Sequence, residues 1–116
     1  MQLTTLTRWL AILWTLIIFI GCAWPSAQLG LAGLSDKFQH LAIFALWAIL
    51  WRSASRLSPL VLFGIGTLYG FLIEIYQLIM PINRSFEWLD LLADAVGILV
   101  GLALSVVLRR RLAAGK

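Results

Sequence analysis

The sequence predicts an all-α membrane protein, a compact antiparallel bundle of four transmembrane helices with both termini in the cytoplasm. Three observations lead there. Of 116 residues, 62% are hydrophobic and only 12% charged, with a mean hydropathy of +0.98, whereas soluble domains are about half apolar and a quarter charged. Apolar runs at 9–24, 38–51, 60–80 and 91–108 stop at Pro25, Arg52, Pro81 and Arg109. Only helices satisfy their own backbone in lipid as an open chain, and each span takes about 20 residues. The length therefore suits a single domain over 1–116 and leaves no room for a soluble catalytic domain. The short connections make successive helices antiparallel neighbours.

Charge gives the direction. The formal net charge is +4. Arg8, Arg52, Arg56, Arg109, Arg110, Arg111 and Lys116 fall on one side of the four-span plan, while Lys37 and Arg84 fall on the other. The richer side belongs in the cytoplasm. The basic residues read as topology signals, so nucleic acid is not an expected partner.

The first run, 9–24, follows Arg8 and imitates a secretory signal, with Phe19-Ile20-Gly21-Cys22 approaching a lipoprotein cleavage site. Its length, and Phe19 where a Leu-type residue belongs, lead us to expect that the helix is retained. Cys22 is the single cysteine and His40 the single histidine, which excludes an internal disulfide and a Cys/His zinc site. Trp9, Trp24, Trp51 and Trp88 lie at span ends, where amphipathic rings settle, while Trp14 and Trp47 lie deeper and read as packing residues.

The second run, 38–51, opens with Asp36 and Lys37. Asp36 and His40 are four apart and Lys37 and His40 three apart, so one helix rim carries an acid, a base and an imidazole. Asp36 also suits a positive helix N-terminus, and Lys37 can reach the interface. In the third run Gly66, Gly70, Glu74 and Gln77 form one stripe; in the fourth, Asp90, Asp94, Gly97 and Gly101 form another. Each stripe holds a Gly-x-x-x-Gly, which permits close helix approach. In an antiparallel pair, glycine is expected to meet glycine and carboxylate to meet carboxylate.

All the acids, Asp36, Glu74, Glu87, Asp90 and Asp94, map to the outer half with His40, Gln77, Lys37 and Arg84. Charges within apolar sequence should face the bundle interior. The expected object is a polar pocket opening to the outer leaflet, with Arg84 folding back over it. Its surplus of carboxylates must share protons, bind a cation or pair with something basic.

The ordered set Asp36-Lys37-x-x-His40, Tyr69-Gly70 leading to Glu74-x-x-Gln77, and Arg84-Ser85-Phe86-Glu87-Trp88-x-Asp90-Leu91-x-Ala93-Asp94-x-x-Gly97 resembles the VanZ-like family of small bacterial membrane proteins. The resemblance covers about Asp36 to Gly101 and little of the first helix. Asp94 replaces the asparagine of many relatives, and Glu87 stands where aspartate is frequent. The family is named after a protein associated with low-level teicoplanin resistance, and the resemblance implies a cell-envelope role at the outer face of the bacterial cytoplasmic membrane.

Three functions stay open. The leading one is binding of an amphiphilic lipid-linked or glycopeptide-like ligand by Asp36, Lys37, His40, Glu74, Gln77, Arg84, Asp90 and Asp94. Arg84 suits an oxyanion, or serves as counter-ion to Glu74, Asp90 or Asp94. The second is an enzyme acting on a lipid headgroup, with His40, Glu74 and Asp90 as catalytic candidates, although Ser85 has no nucleophile context. The third is a small proton-coupled multidrug-type exporter using Glu74, disfavoured because the polar residues stop in the outer half. No cofactor is required by the sequence, and a His/carboxylate site for a divalent cation stays open. Arg109-Arg110-Arg111 reads as a cytoplasmic stop with some attraction to anionic lipids. Membrane lipids are the expected surroundings, and exposed helix faces leave room for a second copy of the chain.

Overall fold

The computed structural model describes residues 3–23, 34–79 and 88–114, which form α1 (Leu3–Ala23), α2 (Leu34–Ala54), α3 (Pro59–Ile79) and α4 (Trp88–Ala114). At about 1.5 Å per residue, the 21-residue helices α1, α2 and α3 are each about 31 Å long. That length matches a hydrocarbon core of about 30 Å.

α1, α2 and α4 extend beyond the expected apolar spans, and α3 nearly coincides with its own. The run at 9–24 is part of a helix from Leu3, 38–51 extends to 34–54, 60–80 becomes 59–79, and 91–108 grows to 88–114. The apolar runs are bounded by charges at Arg8, Lys37, Arg52 and Arg109 and by prolines at Pro25 and Pro81. Arg8, Lys37 and Arg52 instead lie inside helices, because a long basic side chain can reach the interface while its backbone stays helical. Trp24, Pro25 and Pro81 lie outside the described residues.

α1, α3 and α4 are long and apolar enough to cross a membrane. α2 is as long as α1 and α3 but less apolar, since it carries Ser35, Asp36, Lys37, Gln39, His40 and Arg52. Its position accounts for this composition. α2 touches all the other helices and packs most extensively on α4, whereas α1 and α4 do not meet among the described residues. His40, Phe44, Trp47 and Ala48 of α2 are buried, so its polar side chain at 40 turns inward.

Glycine sets the α2–α4 distance. A Cβ on Gly97 would strike the carbonyl oxygen of Leu41, and one on Gly101 the carbonyl oxygen of Ala45. The α4 glycines therefore meet the α2 backbone, which corrects the glycine-to-glycine expectation. The two stripe glycines of α3 meet side chains: Gly66 faces Ile98 and Trp47, and Gly70 faces Asp94. Between these layers Phe44, Trp47, Leu62, Ile73, Ile98 and Leu102 form the core.

The contacts also fix the helix senses. Lys37 with Asp90, His40 with Asp94 and Arg52 with Arg109 rise together along α2 and α4. Thr15 with Tyr69 and Phe19 with Tyr76 rise together along α1 and α3. Only residues 55–58 join α2 to α3, where Ser58 caps α3: its Oγ accepts from Val61 N–H at 3.3 Å, with Pro59 in the first helical position. One end of the bundle thus gathers the starts of α1 and α3 with the ends of α2 and α4.

Candidate functional site

The opposite end holds the buried charges. Lys37 and His40 are one turn apart on α2, and Asp90 and Asp94 one turn apart on α4, so the close parallel seam sets two pairs side by side. Lys37 Nζ stands 2.5 Å from Asp90 Oδ1. His40 Nδ1 lies 2.7 Å from Asp94 Oδ1, and its Nε2 lies 3.8 Å from Asp90 Oδ2. The imidazole is bracketed by carboxylates from successive turns of α4. An ionised Asp94 can only accept, so its bond places the His40 proton on Nδ1 and turns Nε2 toward Asp90. Asp90 also occupies the first turn of α4, where the helix dipole favours a negative charge.

α3 closes the cluster from the other flank. A Cβ on Gly70 would lie 2.7 Å from Asp94 Oδ2. The space of a side chain at 70 is therefore filled by the carboxylate, and any larger residue there would displace it. Glu74 and Gln77 continue the same face of α3 and are buried, Glu74 at 0% exposure. His40, Asp90 and Asp94 are buried as well, while the Lys37 side chain keeps 21% of its surface. Three carboxylates are thus buried beside one lysine and one imidazole. Burying such charges costs several kcal/mol per ion unless each is paired.

Of the candidate residues, Lys37, His40, Asp90 and Asp94 are joined by direct contacts, and Glu74 and Gln77 are buried on the α3 face that carries Gly70. Asp36 lies in the first turn of α2, but its side chain is outside the described set. Arg84, with Ser85 and Glu87, falls in the undescribed stretch 80–87. Among the described residues no group of three or more His, Cys, Asp or Glu side chains is placed to hold a metal ion.

A second polar node escaped the sequence reading. Thr15 Oγ1 donates to the Ala11 carbonyl at 2.8 Å and accepts the indole N–H groups of Trp47 at 3.1 Å and Trp51 at 3.0 Å. The Thr15 carbonyl accepts the Tyr69 hydroxyl at 2.5 Å, and Trp14 Nε1 donates to the Ile43 carbonyl at 3.0 Å. Trp14 and Trp47 are therefore hydrogen-bonding as well as packing residues, and Trp51 is tied to α1. The available signal was Trp47 and Trp51 one turn apart, with a lone hydroxyl at 15 in apolar sequence.

A family model described as VanZ/LLP1 matches residues 4–109. The chain belongs to the VanZ/LLP1 family. The match takes in all four helices of this VanZ/LLP1 protein, including α1, where the motifs alone carried little of the resemblance. No curated protein and no solved structure matches the chain.

Proposed function

We propose that this VanZ/LLP1 protein is a four-span protein of the bacterial cytoplasmic membrane that acts in the cell envelope. Successive helices cross in opposite directions, both termini are cytoplasmic, and the acid-bearing end faces outward. Its charged cluster binds the headgroup of an amphiphilic ligand, lipid-linked or glycopeptide-like. One observation carries the reading: a buried imidazole and a partly exposed lysine stand with three buried carboxylates at one end of an otherwise apolar bundle. A purely structural node has no need of buried ionisable groups, since apolar packing serves stability as well or better. Carboxylates accept hydrogen bonds, so the fitting headgroup presents amine, amide or hydroxyl donors, as amino sugars do.

The placement of arginines favours this orientation through the positive-inside bias. The test is thermal unfolding of the full chain in neutral detergent with a polyprenyl-linked amino sugar or teicoplanin as probe. Binding to the native state raises the melting temperature of wild type. His40→Gln and Glu74→Gln should fold and lose that rise; an equal rise in both variants would contradict the site.

The His40–Asp94 bond supports one second reading. A carboxylate that fixes the imidazole tautomer is the arrangement of a general base, so headgroup hydrolysis or transfer would use His40 Nε2. Release of headgroup from the lipid-linked probe by wild type but not by His40→Gln would favour this over binding alone. Proton-coupled export is the weakest reading, because the buried ionisable groups His40, Glu74, Asp90 and Asp94 are confined to one end.

A further inference from the structure

The end opposite the acids carries the other large charge concentration. Arg8 lies near the start of α1, Arg52 in the last turn of α2, Arg56 in the connection that follows it, and Arg109, Arg110 and Arg111 near the end of α4. The helix senses bring these arginines to one end, together with the N-terminus of α3. The chain has no Asp or Glu between Asp36 and Glu74 or after Asp94, so no carboxylate from α2, α3 or α4 stands at this end.

Helix dipoles do not account for the charge. The C-termini of α2 and α4 each present about half a negative charge, and the N-termini of α1 and α3 about half a positive one. These contributions cancel, leaving the guanidiniums uncompensated. The platform is also fixed in place. Arg109 Nη2 donates to the Arg52 carbonyl at 2.7 Å, binding α4 to the end of α2, and Arg52 Nη1 donates to the Leu57 carbonyl at 3.2 Å, binding α2 to the turn before α3. Arg8, Arg56, Arg110 and Arg111 are exposed around this platform. Beside it Trp9 is 61% exposed, as suits a ring at a lipid headgroup level.

We propose that this arginine platform is a binding site for the phosphodiester headgroup of anionic phospholipid. Guanidinium forks match phosphate oxygens bidentately, and the apolar outer faces of α3 and α4, with Leu60, Val61, Leu104 and Leu108 exposed, give the acyl chains a surface directly below. The site is separate from the acidic cluster and does not depend on what that cluster binds.

The test titrates phosphatidylglycerol, phosphatidylcholine or inorganic phosphate into the full chain in neutral maltoside micelles and follows the melting temperature. Phosphatidylglycerol should stabilise the protein, phosphatidylcholine and inorganic phosphate should not, and 0.5 M salt should suppress the effect. Arg56→Gln, Arg110→Gln and Arg111→Gln leave the Arg109 to Arg52 bond intact; each should weaken the apparent affinity about fivefold, the equivalent of one basic residue at an anionic surface. Lys37→Gln at the other end should leave it unchanged. Equal stabilisation by phosphatidylcholine, or an effect of phosphatidylglycerol in wild type that salt does not reduce, would overturn the proposal, as would full retention of affinity in all three arginine variants.

Discussion

Two polar nodes fasten this bundle, and they are built differently. At Thr15 a neutral hydroxyl accepts two indole N–H groups and donates to a carbonyl, tying α1 to α2, while the Thr15 carbonyl ties α1 to α3. Donors and acceptors balance, and no net charge is buried. At the other end, Lys37, His40, Asp90 and Asp94 tie α2 to α4 with ionisable groups, and Glu74 is buried on the α3 face that carries Gly70. Both nodes position helices, yet only the second is built from ionisable groups. That difference is the ground for proposing that the second is a site while the first is a fastening.

The most damaging way to break the comparison is Gly101→Leu. The new side chain would push α4 off the Ala45 carbonyl and part the seam that builds the charged node, so no folded protein should be recovered by size-exclusion chromatography in detergent. Asp94→Ala should come next, at about 3 to 5 kcal/mol, because it strands buried His40 without its partner; denaturant titration followed by tryptophan fluorescence measures it. Thr15→Val should cost about 2 kcal/mol by the same titration, since two indole donors lose their acceptor while the shape is kept. Lys37→Gln should cost under about 1 kcal/mol because its ion pair is partly solvated. If Lys37→Gln proved more damaging than Asp94→Ala, the ordering by burial would fail.

Much of this was legible in the sequence. Apolar runs locate four helices, and spacing finds the stripe Gly66, Gly70, Glu74, Gln77 and the stripe Asp90, Asp94, Gly97, Gly101, with all of these buried except that Gly97 and Gly101 serve a different neighbour than expected. Periodicity gives a face, not the helix it meets. Asp94 and Ile98 lie roughly 60° and 100° round α4 from Gly97, enough to turn the acid toward Gly70 on α3 while the glycines face α2. Thr15 was missed for a related reason: its partners lie 32, 36 and 54 residues away, and no local pattern encodes them. The helices run past the apolar spans at 3–8 and 34–37, because hydropathy marks the apolar stretch and not the ends of the helix that contains it.

Whether the charged node is a site and the neutral node a fastening is decided by comparing Asp94→Asn with Thr15→Val in one ligand-induced thermal-shift experiment, using the polyprenyl-linked amino sugar as probe. Asn at 94 keeps the shape and an acceptor for His40 but removes the charge. Thr15→Val should melt lower than wild type yet gain the same rise from the probe, while Asp94→Asn should lose the rise. A full rise in Asp94→Asn, or its loss in both variants, would contradict the account.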